Sequence, residues 1–323
     1  MVMNIGMIGT GLAAEKLLAP ALAQSQNAQL WSVLSRDAER GQAAAGRMGA
    51  HAPQPVHTDL HEMLADPELD ALVIASPDKL HADQAVAAAE AGKHVLVEKP
   101  MVTDMAEGQR MIDACSAAGV TLAVAYHMRW HAGHRALQAK ATAGELGTLR
   151  HMRVIWPTPQ QNADGWRAGK DVGRWWGLAA VGTHCLDQIR WFMTPTCGEV
   201  VELKSIVSNA GWNTPRDETA VLAMKFENGA TAEMCSSVLF NAPKRMEVYG
   251  SDGYAVFDDT LGPTGGGAIT TDRGAFEFEQ VNPYLGEIDD FVKAAQSGNA
   301  PEVGGKEGLR NVELLLKAVA ADP

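Results

Sequence analysis

Cysteine is scarce in this chain and scattered. Cys115, Cys185, Cys197 and Cys235 are the only four among 323 residues, and no two stand in a Cys-x-x-Cys spacing. That excludes a zinc ribbon or a thioredoxin-like motif and leaves reduced, buried thiols as the expectation. No apolar run approaches the ~20 residues that cross a bilayer. The chain does not open on a basic segment followed by a short apolar stretch, so a cytoplasmic protein with no membrane partner is expected. Positive charge is also in deficit: 27 Lys and Arg stand against 39 Asp and Glu, a net charge of −12. This argues against a surface for nucleic acid or anionic lipid. No fixed-period repeat is present, and Gly262 to Gly267 reads as a glycine-rich loop rather than a linker.

What is present is enough apolar material, 46% of residues, for two cores. Up to about residue 125, short apolar runs alternate with helical stretches, which predicts a doubly wound parallel sheet. The expected strands are Ile5 to Ile8, Gln29 to Leu34, a weak one near Val56, Leu72 to Ala75, Val95 to Val97 and Leu122 to Ala125. Helices are expected over Ala38 to Met48, His81 to Ala91 and Asp104 to Ala118. Beyond residue 150 strand-like segments follow one another: Leu149 to Trp156, Val200 to Ser208, Thr219 to Phe226, Ala230 to Ser236, Arg245 to Tyr249 and Tyr254 to Phe257. Asn228-Gly229 is a hairpin signal between two of them. The fold class is therefore α/β: a Rossmann domain over 1–125, then a second domain over 126–323 with an open, largely antiparallel sheet and helices over Ala180 to Phe192, Tyr284 to Gln296 and Leu309 to Ala320.

After the first strand, Gly9-Thr10-Gly11-Leu12-Ala13-Ala14 matches the dinucleotide fingerprint in its Gly-x-Gly-x-x-Ala form. Gly9 allows a tight turn, Gly11 lets backbone approach a pyrophosphate, and Ala14 keeps the next helix close to the strand. The free N–H groups of that helix face the anion. Lys99 follows the apolar run Val95-Leu96-Val97, at the strand end where such sheets bind ligands. Its ammonium suits the charge that develops on a substrate oxygen as hydride leaves or joins the adjacent carbon. At the end of the second strand, Ser35, Arg36 and Arg40 suit a 2′-phosphate, which favours NADP over NAD, while Asp37 argues the other way.

These segments, with the Pro77 to His81 loop, Glu98-Lys99-Pro100, Trp166-Arg167 and Gly182-Thr183-His184 followed by Asp187, resemble the Gfo/Idh/MocA family of oxidoreductases over nearly the whole chain. The resemblance is to its sugar dehydrogenase and 1,5-anhydrofructose reductase branch. It implies a homodimer or homotetramer joined through the carboxyl-terminal sheet. It also places Ser76, Pro77, His81, Glu98 and Pro100 beside the cofactor, and makes His184 the acid or base, with Asp187 one helical turn on. The family's aspartate four residues before that histidine is here Ala180, and Arg174-Trp175-Trp176 replaces a glycine run. A carboxylate from Asp164, Asp171 or Asp187, or the hydroxyl of Tyr126, is left to stand in.

Flat indole faces suit the C–H faces of sugars and cyclitols. Trp130, Trp156, Trp166, Trp175 and Trp176 are therefore candidates for the substrate side, with Arg129 and Arg167 as polar contacts; core packing is the better explanation for any one tryptophan, but at least one of Trp166, Trp175 and Trp176 is expected to touch substrate. His127, His131 and His134 have a metal-like spacing, but no glutamate accompanies them and Gly133 interrupts the helix, so no metal is expected. The sum is an NADP-dependent oxidoreductase acting on a CH–OH or carbonyl carbon of a sugar-like polyol. The alternatives are a non-catalytic NADP-bound sensor, and an isomerase or glycoside-cleaving enzyme that recycles its dinucleotide.

Overall fold

The computed structural model describes residues 2–162, 166, 175–212 and 214–320. They form two compact units, one of Met1–Tyr126 with Tyr284–Val312 and the other of His127–Pro283 with Glu313–Pro323. The chain thus comes back to its first unit late.

In the first unit β1 (Met3–Ile8), β2 (Ala28–Leu34), β3 (Val56–His57), β4 (Ala71–Ile74), β5 (His94–Glu98) and β6 (Leu122–Ala125) form one sheet in the order β3-β2-β1-β4-β5-β6. Every pairing is parallel. The strands are buried on both faces, which explains why Ala71–Ile74 and Val95–Val97 read as continuous apolar runs rather than alternating ones. Helix α1 spans residues 12–22 and is wound loosely, with i→i+5 bonds, over Ala14–Leu18. It is followed by α2 (Ala38–Met48), α3 (Leu60–Leu64), α4 (His81–Glu90) and α5 (Met105–Ala118). Asp37, Asp59 and Asp104 cap three of these by accepting bonds from the first turn. Tyr284, Ile288, Phe291 and Val292 join the core formed by β1, β2 and the helices on that side. Each such side chain, fully buried, contributes about 1.5–3 kcal/mol.

The second unit carries α6 (Ala132–Thr142), α7 (Thr183–Cys197) and eight strands: β7 (Leu149–Pro157), β8 (Val200–Ser208), β9 (Thr219–Phe226), β10 (Thr231–Ser237), β11 (Arg245–Gly250), β12 (Tyr254–Asp258), β13 (Ala268–Thr271) and β14 (Gly274–Ala275). Their order is β14-β13-β12-β11-β7-β10-β9-β8, antiparallel except for β7 against β10. Alternation is clean in β9: Ala220, Leu222, Met224 and Phe226 are buried while Val221, Ala223 and Lys225 face out. Gly229 takes φ +89° in the β9–β10 turn, a conformation an L side chain resists. Helix α7 packs on β7 and β10.

Four elements escape the sequence pattern: α3, α6, β13 and β14. The strands are short, and α6 carries Gly133 and His134 in its first turn. No described helix is long and apolar enough to cross a membrane.

Candidate active site

Gly9 leaves β1 at φ +114°, and a Cβ there would lie 2.6 Å from the carbonyl oxygen of Ala75. Only glycine makes this turn. Beside Gly11, by contrast, nothing lies within 4 Å of where a Cβ would be. The result is an open turn at the amino end of α1, with Ala14 fully buried against the sheet and Leu12 exposed. Thr10 and Ala13 are half-buried at its rim. Backbone N–H groups at such an open turn can hold a pyrophosphate.

At the end of β2, Ser35 Oγ donates to the carbonyl of Asp37 at 2.8 Å and accepts from Arg40 Nη2 at 3.5 Å. Arg36 and Arg40 are exposed. The Asp37 carboxylate caps α2, accepting from Arg40 N at 2.7 Å. The acid that argued for a ribose hydroxyl is thereby engaged with its own helix.

The carboxyl ends of β4 and β5 are neighbours through Ile74 and Val97. Lys99, half-buried, follows β5; its N–H donates to Glu98 Oε2 at 3.1 Å, and its peptide bond to Pro100 is cis. Ser76 Oγ donates to Gln84 Oε1 at 2.6 Å, beside Pro77. His81, the first residue of α4, is only 1% exposed, so it lies beneath this surface rather than on it. Its Nδ1 is 3.2 Å from each of the carbonyl oxygens of Pro100 and Met101, and its Nε2 is 3.0 Å from that of Ser76. Burial pushes this imidazole below its usual range, against the opposing pull of the carbonyls and the Asp78 charge.

In the second unit His184 is the second residue of α7 and is buried. Its ring stacks on Trp156 at 5.4 Å and meets the edge of His127 at 4.9 Å, so aromatic contacts set its plane. Lys244 lies over the same tryptophan. Ala180 belongs to a loosely wound turn, Leu178–Gly182, that leads into α7. Such widened turns occur often at functional sites. Asp187 gives its carboxylate to Arg129, which donates from Nε at 3.0 Å and from Nη2 at 2.6 Å. The two candidate substrate contacts are therefore partners of each other. Tyr126 is fully buried in the first unit.

Among the tryptophans, Trp175 and Trp176 are buried while Trp166 is 38% exposed. Trp176 donates from Nε1 to Gln160 and meets Trp212 edge-on at 5.3 Å. Packing accounts for the first pair. Asp164, Arg167, Asp171 and Arg174 lie outside the described residues. The three spaced histidines do not share one helix: His127 sits in a tight turn, and His131 caps α6. His131 bonds the carbonyl of Gly266, and His134 bonds Gln188 and Thr260. No cluster of metal-ligand type is found among the described residues.

One residue that the sequence did not single out stands at the head of α7. Asp217 accepts from the backbone N–H groups of Trp176 and Leu178, each at 2.6 Å, and so anchors the turn containing Ala180. Burial pushes its carboxyl up to about 6. Its partners are some forty positions away in the chain, and an acid in the stretch Pro215-Arg216-Asp217-Glu218 carries no local mark of that role.

Residues 3–126 match the profile of the GFO/IDH/MocA oxidoreductase family with its NAD-binding Rossmann fold, and residues 134–256 match the GFO/IDH/MocA carboxyl-terminal domain. Among similar proteins, a 1,5-anhydro-D-fructose reductase of Ensifer adhaerens is 26% identical, the match covering 98% of this chain and 95% of that one. A D-xylose 1-dehydrogenase (NADP(+)) of Haloferax volcanii is 30% identical over 98% of this chain and 97% of its own length. The crystal structure of aldose-aldose oxidoreductase from Caulobacter crescentus, complexed with glycerol, superposes with a TM-score of 0.90 at 24% identity, covering 99% of this chain and 97% of that one. At that identity the likeness is one of fold.

Proposed function

Because this chain belongs to the GFO/IDH/MocA oxidoreductase family, we propose that it moves a hydride between NADP and a carbinol or carbonyl carbon of a sugar-like polyol. The observation that carries this reading lies in the first unit. The open Gly9–Gly11 turn and Lys99 stand at the carboxyl ends of β1 and β5, flanking β4 in one parallel sheet, where α/β sheets bind ligands. The relatives named as a reductase and a dehydrogenase of sugars support the substrate class.

When bound, NADP supplies the hydride donor or acceptor. The turn from Gly9 to Ala14 holds its pyrophosphate, and Ser35, Arg36 and Arg40 hold the 2′-phosphate. Asp37 spends one carboxylate oxygen on the cap of α2. Lys99 steadies the substrate oxygen with its ammonium, and His184 takes or returns the hydroxyl proton as a neutral imidazole. The ring of His184 is held by Trp156 and His127 for that purpose. We assign oligomerisation to the outer face of the second sheet, where Ile206 and Val221 pair across strands and both stay exposed.

The test is Lys99→Met, assayed over a panel of aldoses, ketoses and cyclitols. Turnover falls by about 10²–10³-fold while NADPH affinity, read from its fluorescence, is retained. Full activity in that variant rejects the assignment. Tight NADP binding by the wild type with no turnover on any member of the panel favours a sensor instead.

A further inference from the structure

His81 occupies an unusual place for a residue expected to touch cofactor. It is buried, and its ring joins two segments that are far apart in the chain but adjacent in the sheet. On one side are the carbonyls of Pro100 and Met101, the two residues after Lys99; on the other is the carbonyl of Ser76, just beyond β4. A neutral imidazole has one N–H and can donate to only one side at a time. Two acceptors converge on Nδ1 and one on Nε2, so the side toward Pro100 and Met101 offers the donor more.

We propose that His81 is a positioning residue that donates from Nδ1 to the carbonyls of Pro100 and Met101 and thereby holds the backbone from which the Lys99 side chain projects. The inference rests on the hydride-transfer reading for its consequence in catalysis. Its structural half stands without it. Pinning the Pro100 carbonyl fixes the Pro100–Met101 peptide plane, one residue beyond Lys99, and so restrains the backbone that carries a long, flexible side chain. Loss of about 1 Å in such placement costs up to about 10²-fold in rate. The dinucleotide cradle at Gly9 is built from a different strand, so the bond bears more on turnover than on cofactor affinity.

Two amide variants separate the ring's two sides. His81→Asn keeps an N–H donor near the position of Nδ1, His81→Gln keeps one near that of Nε2, and His81→Phe keeps the ring without either. Amide hydrogen exchange over residues 99–103 is the readout that needs no substrate. The expected result is exchange near wild type in the Asn variant and clearly faster in the Gln and Phe variants. Turnover follows the same order: within about fivefold of wild type for Asn, down about 10–100-fold for Gln and Phe, with NADPH affinity changed less than turnover in all three. Equal effects in the Asn and Gln variants, or protection retained in Phe, overturn the proposal, as does loss of NADPH affinity in step with turnover. If the wild type transfers no hydride, the functional reading fails while the exchange pattern still decides this one.

Discussion

Arg129 and Asp187 form a two-armed ion pair inside the second unit, with Arg129 at 5% and Asp187 at 1% side-chain exposure. Nε and Nη2 of the guanidinium meet the two carboxylate oxygens, the geometry in which arginine binds a carboxylate most strongly. The guanidinium also lies 6.0 Å from the centre of the Trp191 ring. The pair ties the tight turn His127–Trp130, which also presents His127 to His184, to the first turns of α7.

Removing one partner leaves a buried charge without its counter-ion, which costs about 3–5 kcal/mol. Asp187→Asn and Arg129→Met are each expected to lose that much in urea unfolding. The double variant Arg129→Met with Asp187→Leu regains a large part, since burying neither charge removes the penalty. Single variants that unfold within about 1 kcal/mol of wild type would show that the pair is not held as described.

Asp217 makes stability depend on pH in a direction opposite to that of an ordinary salt-bridged carboxylate. Its carboxyl rises from 3.8 to about 6 in the folded chain, a difference of ~3 kcal/mol between protonation states. Between these values the native state binds more protons than the unfolded state, so this group adds stability as pH falls from 6 to 4 and withdraws it as pH rises again. Asp217→Asn cannot titrate. The gap in unfolding free energy between wild type and Asp217→Asn therefore moves in favour of wild type from pH 7 to pH 4. Parallel curves for the two proteins over that range would refute the assignment.

The proposed use of NADP rests on Ser35, Arg36 and Arg40. Hydrogen bonds to a charged group are worth about 1.5–3 kcal/mol, so Arg36→Ala with Arg40→Ala is expected to lower kcat/KM with NADP by ~10–100-fold and to change it little with NAD. Steady-state assays with both dinucleotides measure this. A wild type with the higher kcat/KM for NAD would overturn the choice.

The order and extent of most elements were legible in the sequence because each rests on local physics. The β1 run followed by Gly9-x-Gly11 marks a strand that must turn sharply into a helix, and Ala38–Met48 is bracketed by a capping aspartate and a terminal glycine. Strands buried on both faces read as unbroken apolar runs, and those of the second sheet alternate because one face meets water. Lys99, at the end of such a run, is placed by that reasoning alone.

Tertiary structure alone decided the partners of the side chains. Arg129 and Asp187 are 58 positions apart, Asp217 and Leu178 39, and His81 and Met101 20. No periodicity connects such pairs, because a hydrogen bond or ion pair between distant segments depends on which elements the fold packs together. The sequence marks an arginine or a histidine as chemically able, but whether it meets a ligand or a buried carboxylate is set by the packing that brings a partner within hydrogen-bond distance.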